Sequence, residues 1–545
     1  MAVAALRELE RSYLDLRWQL DPVAATQAGV TTYDDRYGSY SPAALAPHLA
    51  ALKSLAAAVE ETPADELEEE IDRTALLNEI RVAVRRLERE RPQAKSPEFW
   101  LSHLLAGLHV LALRDDRAPG AKAAAITGRL EDVPRLLDEA RATVLEPVRV
   151  FVETAVRVQE GGLHLVRELA ARFAAESAEH AVRLAAAADG AVAALTTFAR
   201  DLERWLETGS DRFALGEEDF NFRLHYEHAL RDTAPELWRY GHRLKEELEQ
   251  DLAARAHRFN GGRSHAATPH WAELADRLRA DHPTAGELVA AYAREMARAR
   301  DFVAQRELAP IPAAPLEVIP TPAFMRPLTP FAAYDSPGPY SSDRTGVFYV
   351  TVPDPALPAA AQERLLRDHC RHEIPATALH EGYPGHHLQL VLAQEQPSHV
   401  RKNLWTPLTV EGWALYCEDM MGEEGFYRAE EERFFQRVHL LWRAVRILID
   451  VGLHTRGMTF QQAVDMLAET LHVDRANAEA EVRRYCAMPG YQLCYAVGRR
   501  ELLRLRADFR AARGAEFTLR RFHDAILPYG GLSVTLMRWG LGLGE

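Results

Sequence analysis

Between residues 309 and 358 the chain cannot be helical, and almost everywhere else it reads as helix. That segment, "APIPAAPLEVIPTPAFMRPLTPFAAYDSPGPYSSDRTGVFYVTVPDPALP", repeats proline too often for an i→i−4 ladder to survive. Two short strands fit inside it, Leu316–Ile319 and Val347–Val352. The second, in "GVFYVTV", carries the strongest strand signal of the protein and is flanked by turn chemistry, "SSDRTG" and "PDP". On either side, Leu, Ala and Val recur at three- and four-residue spacings among Glu and Arg, over 1–20, 43–90, roughly 120–208 and 232–256, and again from 359 onward. Breaks fall at "TTYDDRYGSYSP" (31–42), "RDDRAPGA" (114–121) and "NGGRSHAATP" (260–269), where Pro, Gly, Asp and Asn gather. The expected fold is mainly α: two helical halves flanking a deep cleft, with a small β-sheet near the histidine-bearing helix. The expected regions are 1–308, 309–358 and 359–545, the halves sharing one cleft.

Charge and cysteine use narrow the function. Eighty acidic against 65 basic residues give a net charge of −15, which argues against a general binder of nucleic acid or anionic membrane. No window of about 20 uncharged apolar residues and no signal-peptide pattern appear, so the expectation is a cytoplasmic chain without a membrane span. Cys370, Cys417, Cys486 and Cys494 are too few for a disulfide framework and read as small buried hydrophobes.

The chemistry concentrates in "RHEIPATALHEGYPGHHLQL", which holds His372-Glu373, His380-Glu381 and His386-His387. Zinc hydrolases commonly place two histidines one helical turn apart with a glutamate beside the first. Here position 384 is Pro instead. On an ideal helix of about 100° per residue, His387 returns to within about 20° of His380, whereas His386 does not. Pro384 and Gly385 break or restart such a helix, so both histidines stay open. The following helix, "PLTVEGWALYCEDMMGE", carries Glu411 and Glu418 two turns apart on an apolar face. Carboxylates there need a partner: a cation, or an arginine such as Arg371, Arg401 or Arg443. His372-Glu373 reads as helix-start packing.

"HEGYPGHH" followed by "EGWALYCE" resembles the bacterial family catalogued as domain of unknown function 885, grouped with zinc-dependent metallopeptidases of the thermolysin-like clan. "DPVAATQAGVTTYDDR", "DRTGVFYVTV", "MPGYQLCYAVG" and "FHDAILPYGGLSVTLM" extend the resemblance over most of the chain. The helical oligopeptidases and carboxypeptidases of that clan are more distantly similar. Their His-Glu-x-Gly-His element is followed by a Glu that opens a Glu-x6-Glu pattern. The resemblance implies His380, His386 and Glu411 as ligands of one zinc ion, with His387 as the alternative, and Glu381 as general base. This chain has two extra residues between Glu381 and Gly385-His386. The implied reaction is hydrolysis of a peptide or amide bond in short peptides, with Tyr495, then Tyr491, as donor to the oxyanion. Phe348 and Tyr349 would lie on an edge strand that pairs with substrate. Arg499, beside Arg500, would hold a substrate carboxylate, and His523 would reach the cleft. The alternatives are hydrolysis of a non-peptide amide or ester, and a non-catalytic helical binding protein with a vestigial site.

Overall fold

The computed structural model describes residues 2–113, 117–259, 270–322, 325–326, 329 and 331–544. The break expected at 260–269 lies outside them, as do residues 114–116 of the one expected at 114–121. Helices fill both flanks of the proline-rich segment. Three of them pack side by side in the N-terminal part, Pro119–Thr143, Arg149–Glu176 and Ala181–Thr208. Ala234–Phe259 lies along Glu430–Thr455, and Pro407–Glu423 along Cys494–Arg513.

Local chemistry explains the boundaries. Asp21, Ser41, Thr406, Thr459 and Ser533 each cap a helix with a side-chain oxygen on a free backbone N–H. The periodicity over 43–90 is not one helix: Thr62 precedes Pro63, takes an extended conformation (φ −75°, ψ 121°), and separates Pro42–Glu61 from Leu67–Arg85. A helical pattern running through 120–208 likewise breaks before Arg149 and at Ser177. Apolar spacing says which residues face inward, but it does not register a single extended residue between two such faces.

The segment 309–358 forms a three-stranded sheet, with β1 (Leu316–Pro320), β2 (Ala332–Asp335) and β3 (Gly346–Val350). The strand order is β1-β3-β2, with β3 parallel to β1 and antiparallel to β2. Strand β2 was not expected; its sequence, AAYD, is too short and too poor in β-branched residues to register. Phe348 and Tyr349 point to opposite faces, as successive strand residues must. Phe348 packs with Tyr292, Ile374 and Ala378, and Tyr349 joins the N-terminal helical core of Leu104, Leu130 and Phe173. The sheet thus wedges the His380 helix against that core.

Two further cores draw on both ends of the chain. Leu237 and Leu248 pack with Phe434, Leu441 and Val445. Leu6, Ile71 and Ile80 pack with Trp413, Tyr416 and Phe522. Helices Pro42–Glu61 and Ala181–Thr208 are long and apolar enough to cross a bilayer, yet each sinks a leucine-bearing face into protein, through Leu45, Leu52 and Leu55 in one and Leu184, Leu195 and Leu202 in the other. All four cysteines named above are free and buried.

Candidate functional site

The histidine segment is two helices, Ile374–Glu381 and His386–Gln394, joined by a short crossing. Gly382 leaves helical geometry (φ −101°, ψ −100°), and the Tyr383–Pro384 bond is cis. Gly385 then passes so close beneath the end of the first helix that a Cβ there would overlap the His380 carbonyl oxygen. That approach sets the His380 and His386 rings perpendicular (88°) with centroids 4.8 Å apart. The next helix, Pro407–Glu423, fixes the crossing from above: Trp413 Nε1 donates to the Pro384 carbonyl at 2.8 Å.

That helix starts at the Thr406 cap with Pro407 behind it, and every residue from Pro407 to Met421 is buried. Glu411 turns toward the two imidazoles. Its Oε2 lies 3.4 Å from His386 Nε2 and 3.9 Å from His380 Nε2. Its Oε1 accepts a hydrogen bond from the Tyr491 hydroxyl at 2.5 Å. Two turns on, Glu418 accepts the Nδ1 proton of His380 at 2.8 Å, which leaves His380 Nε2 facing Glu411. Donor atoms of His380, Glu381 and His386 all lie within 4.8 Å of one another. His380, His386 and Glu411 are only 7–9 % exposed, so the field among them is poorly screened. Burial alone would push Glu411 up. The hydrogen bond and charge of His386, helped by His380 and Tyr491, outweigh it and hold the carboxyl down at about 2. The same contact raises His386 against its own burial.

His387 is turned elsewhere. Its Nε2 donates to the Ala314 carbonyl, just before β1, at 3.2 Å and its Nδ1 accepts from the Tyr334 hydroxyl of β2 at 3.0 Å, so both nitrogens are already committed. The break between Glu381 and His386 is the reason: ideal helical rotation would have presented His387.

Tyr491 reaches Glu411 because the turn before it is held from three sides. Asp450 accepts from the Gly490 and Leu493 backbone N–H groups at 3.0 and 3.2 Å. His228 Nε2 donates to the Gly490 carbonyl at 3.1 Å, and Arg223 to the Pro489 carbonyl at 3.1 Å. His228 also binds Thr406, the cap of the Glu411 helix, at 2.7 Å. The Tyr495 helix, Cys494–Arg513, crosses the Glu411 helix where Gly412 meets Gly498; a Cβ on Gly498 would overlap the Leu408 carbonyl oxygen. The Tyr495 ring lies 6.1 Å from that of Tyr491, and its hydroxyl makes no hydrogen bond to another described residue.

Four expected substrate contacts are corrected. Strand β3 is the middle strand, so its hydrogen-bonding edges are taken by β1 and β2. Phe348 and Tyr349 are core residues, at 0 % and 4 % exposure. Arg499 is engaged by Asp419, and its neighbour Arg500 by Asp232 and Glu501. His523 is fully buried, donating from Nδ1 to the Leu308 carbonyl at 2.6 Å and accepting from the Tyr416 hydroxyl at 2.8 Å. The sequence names neither the strands that flank β3 nor the partners that claim Arg499 and His523. Glu373 pairs with Arg279 at 3.0 Å, in keeping with a packing role. Sequence reasoning gave no role to Asp450, Arg223 or His228. Asp450 does leave a trace, as the lone carboxylate in the apolar run 444–453.

Fold and site together define a mainly helical protein with two histidines and a carboxylate converging, nearly enclosed, at a broken helix. The chain belongs to the family described as bacterial protein of unknown function (DUF885), which matches residues 22–540. No curated protein matches it. Among solved structures it is similar to a "putative lipoprotein of unknown function" from Shewanella oneidensis, with a TM-score of 0.81 and 22 % identity over 98 % of this chain and 99 % of that one. It is also similar to a "putative lipoprotein" from Colwellia psychrerythraea, with a TM-score of 0.84 and 17 % identity over 99 % of this chain and 98 % of that one. At such identities the likeness is one of fold. Because both structures are described as lipoproteins, the expectation of a cytoplasmic chain is withdrawn.

Proposed function

We propose that the chain is a zinc-dependent hydrolase of peptide or amide bonds, acting on short peptides in the manner of the thermolysin-like clan. The observation that carries this reading is the common focus of His380 Nε2, His386 Nε2 and Glu411 Oε2. Two imidazoles and one carboxylate are a donor set that suits zinc and leaves a coordination position open. The orientation of His380 by Glu418 is the carboxylate–histidine arrangement common behind metal-ligating imidazoles. No arginine or lysine forms an ion pair with Glu411 among the described residues, so a divalent ion is the natural counter-charge.

A zinc ion held there would supply Lewis acidity at the substrate carbonyl and acidify an attacking water. Glu381 would serve as the base that takes a proton from the attacking water and returns it to the leaving nitrogen. Glu418 keeps His380 in one tautomer. Tyr491 occupies Oε1 of Glu411 and so keeps Oε2 turned to the imidazoles. The free hydroxyl of Tyr495 is the donor for the developing oxyanion.

The test is metal analysis beside turnover of a library of short peptides and acylated amino acids. Wild type should hold one zinc per chain and cleave members of the library. Glu381→Gln should keep the zinc and lose turnover. Loss of zinc in that variant would mean that Glu381 is a ligand and not the base. Cleavage of esters or non-peptide amides alone would replace the peptidase reading.

A further inference from the structure

With Arg499 held by Asp419, another arginine near the candidate site stands out by its partners. Arg443 lies on the helix Glu430–Thr455. Its guanidinium sits 5.7 Å from the centre of the Tyr495 ring, which Arg446 also approaches, at 5.0 Å. Arg446 is paired with Glu481 at 3.1 Å and Tyr485 at 2.8 Å. Glu481 is shared with Arg484, at 2.9 Å. Three guanidinium groups therefore gather near Tyr495, but Glu481 is shared by only two of them, Arg446 and Arg484, and Arg443 takes no part in the sharing.

Glu418 and Glu411 act on Arg443 through their charge without bonding it, and its hydrogen bonds are one-sided. Of five N–H donors, only Nη1 finds an acceptor among the described residues, the His439 carbonyl at 3.3 Å. Nε is buried without a partner. Nη2 makes no hydrogen bond to a described residue and is not enclosed, and the residue as a whole is partly exposed. The open Nε–Nη2 edge is the side-on fork that takes a carboxylate in two parallel hydrogen bonds. Leaving a buried charged donor unsatisfied is costly, so the fork calls for an anion. From Arg443 the path to the proposed metal centre is short: Tyr495 touches Tyr491, which binds Glu411.

We propose that the open guanidinium fork of Arg443, beside Tyr495, receives a free carboxylate of the substrate. The amide that is cleaved then lies close to a carboxyl group, as in a peptide cut near its C-terminus or an acylated amino acid. This rests on the hydrolase reading for its chemistry, but binding can be measured without turnover.

The zinc-loaded Glu381→Gln protein is titrated calorimetrically with N-acetylated dipeptides, each as the free acid and as the C-terminal amide. The free acids should bind about tenfold to a hundredfold more tightly than the amides. Adding Arg443→Met should abolish that difference while zinc content stays at one per chain. Arg443→Lys, which keeps the charge without the fork, should restore only part of it. Equal binding of acid and amide, no binding of either, or an equal loss for both in Arg443→Met would overturn the proposal. An equal loss with reduced zinc would show that Arg443 merely offsets Glu418 and Glu411. Preferential binding of acids by a wild-type protein that cleaves nothing would sink the hydrolase reading and leave the carboxylate site standing.

Discussion

Two adjacent histidines, His386 and His387, have opposite fates, and that contrast can be measured. His386 faces Glu411, whereas His387 is spent on Tyr334 and Ala314. His386→Ala should lose stoichiometric zinc, and His387→Ala should retain it with a modest loss of stability, both read by metal analysis after dialysis. Glu418→Gln should weaken zinc affinity by about tenfold to a hundredfold, since His380 loses its orienting acceptor. A competition titration against a chelator reads that shift. At this scale the sequence was half legible. His380, Glu381 and Glu411 stand out by residue type and spacing. Which of two neighbouring imidazoles turns inward depends on the path of Gly382–Gly385, and spacing carries no information about that path. Arg499, His523 and Phe348 failed as substrate contacts because their partners, Asp419, Tyr416 and Tyr292, are distant in the chain.

Among the elements, the crossing of the Glu411 and Tyr495 helices depends on Gly412 against Gly498. Gly498→Ala should part these helices and destabilise the protein by about 1–3 kcal/mol, read from the denaturant midpoint. It should also slow any turnover, since Tyr495 moves with its helix. Asp450 makes a second prediction. Burial pushes its carboxyl up to about 7, even against the backbone N–H groups of Gly490, Leu493 and Gln492. A carboxyl raised on folding binds its proton more tightly in the folded chain, so its contribution to stability falls as pH rises from about 4 to about 7. Urea midpoints at about pH 5 and about pH 8 should therefore differ less in Asp450→Asn than in wild type. A larger difference in the variant would refute the assignment. Helices were legible from apolar spacing, and β1 and β3 from β-branched and aromatic runs. The position of β3 between β1 and β2 was not, because strand order follows from long-range pairing.

Across the whole molecule, the proline-rich segment does not separate two independent bodies. Leu237 and Leu248 complete the core of the Arg443 helix, and Ile71 and Ile80 complete that of the Glu411 helix. A fragment spanning 309–545 should therefore lack cooperative unfolding when expressed alone, and should regain it when 1–308 is supplied in trans. Circular dichroism of the fragment and of the mixture tests this. Helical content was plain from the sequence, but this interleaving was not, since amphipathic faces do not name their partners.

The turn at Pro489–Gly490 is gripped by Arg223 and His228, more than two hundred residues upstream, and by Asp450. The hydrogen bond of Tyr491 to Glu411 therefore leans on residues contributed by those distant pieces. The position of this one tyrosine is thus shared among four distant stretches of chain, so a substitution far from the histidines can still disturb the carboxylate that faces them.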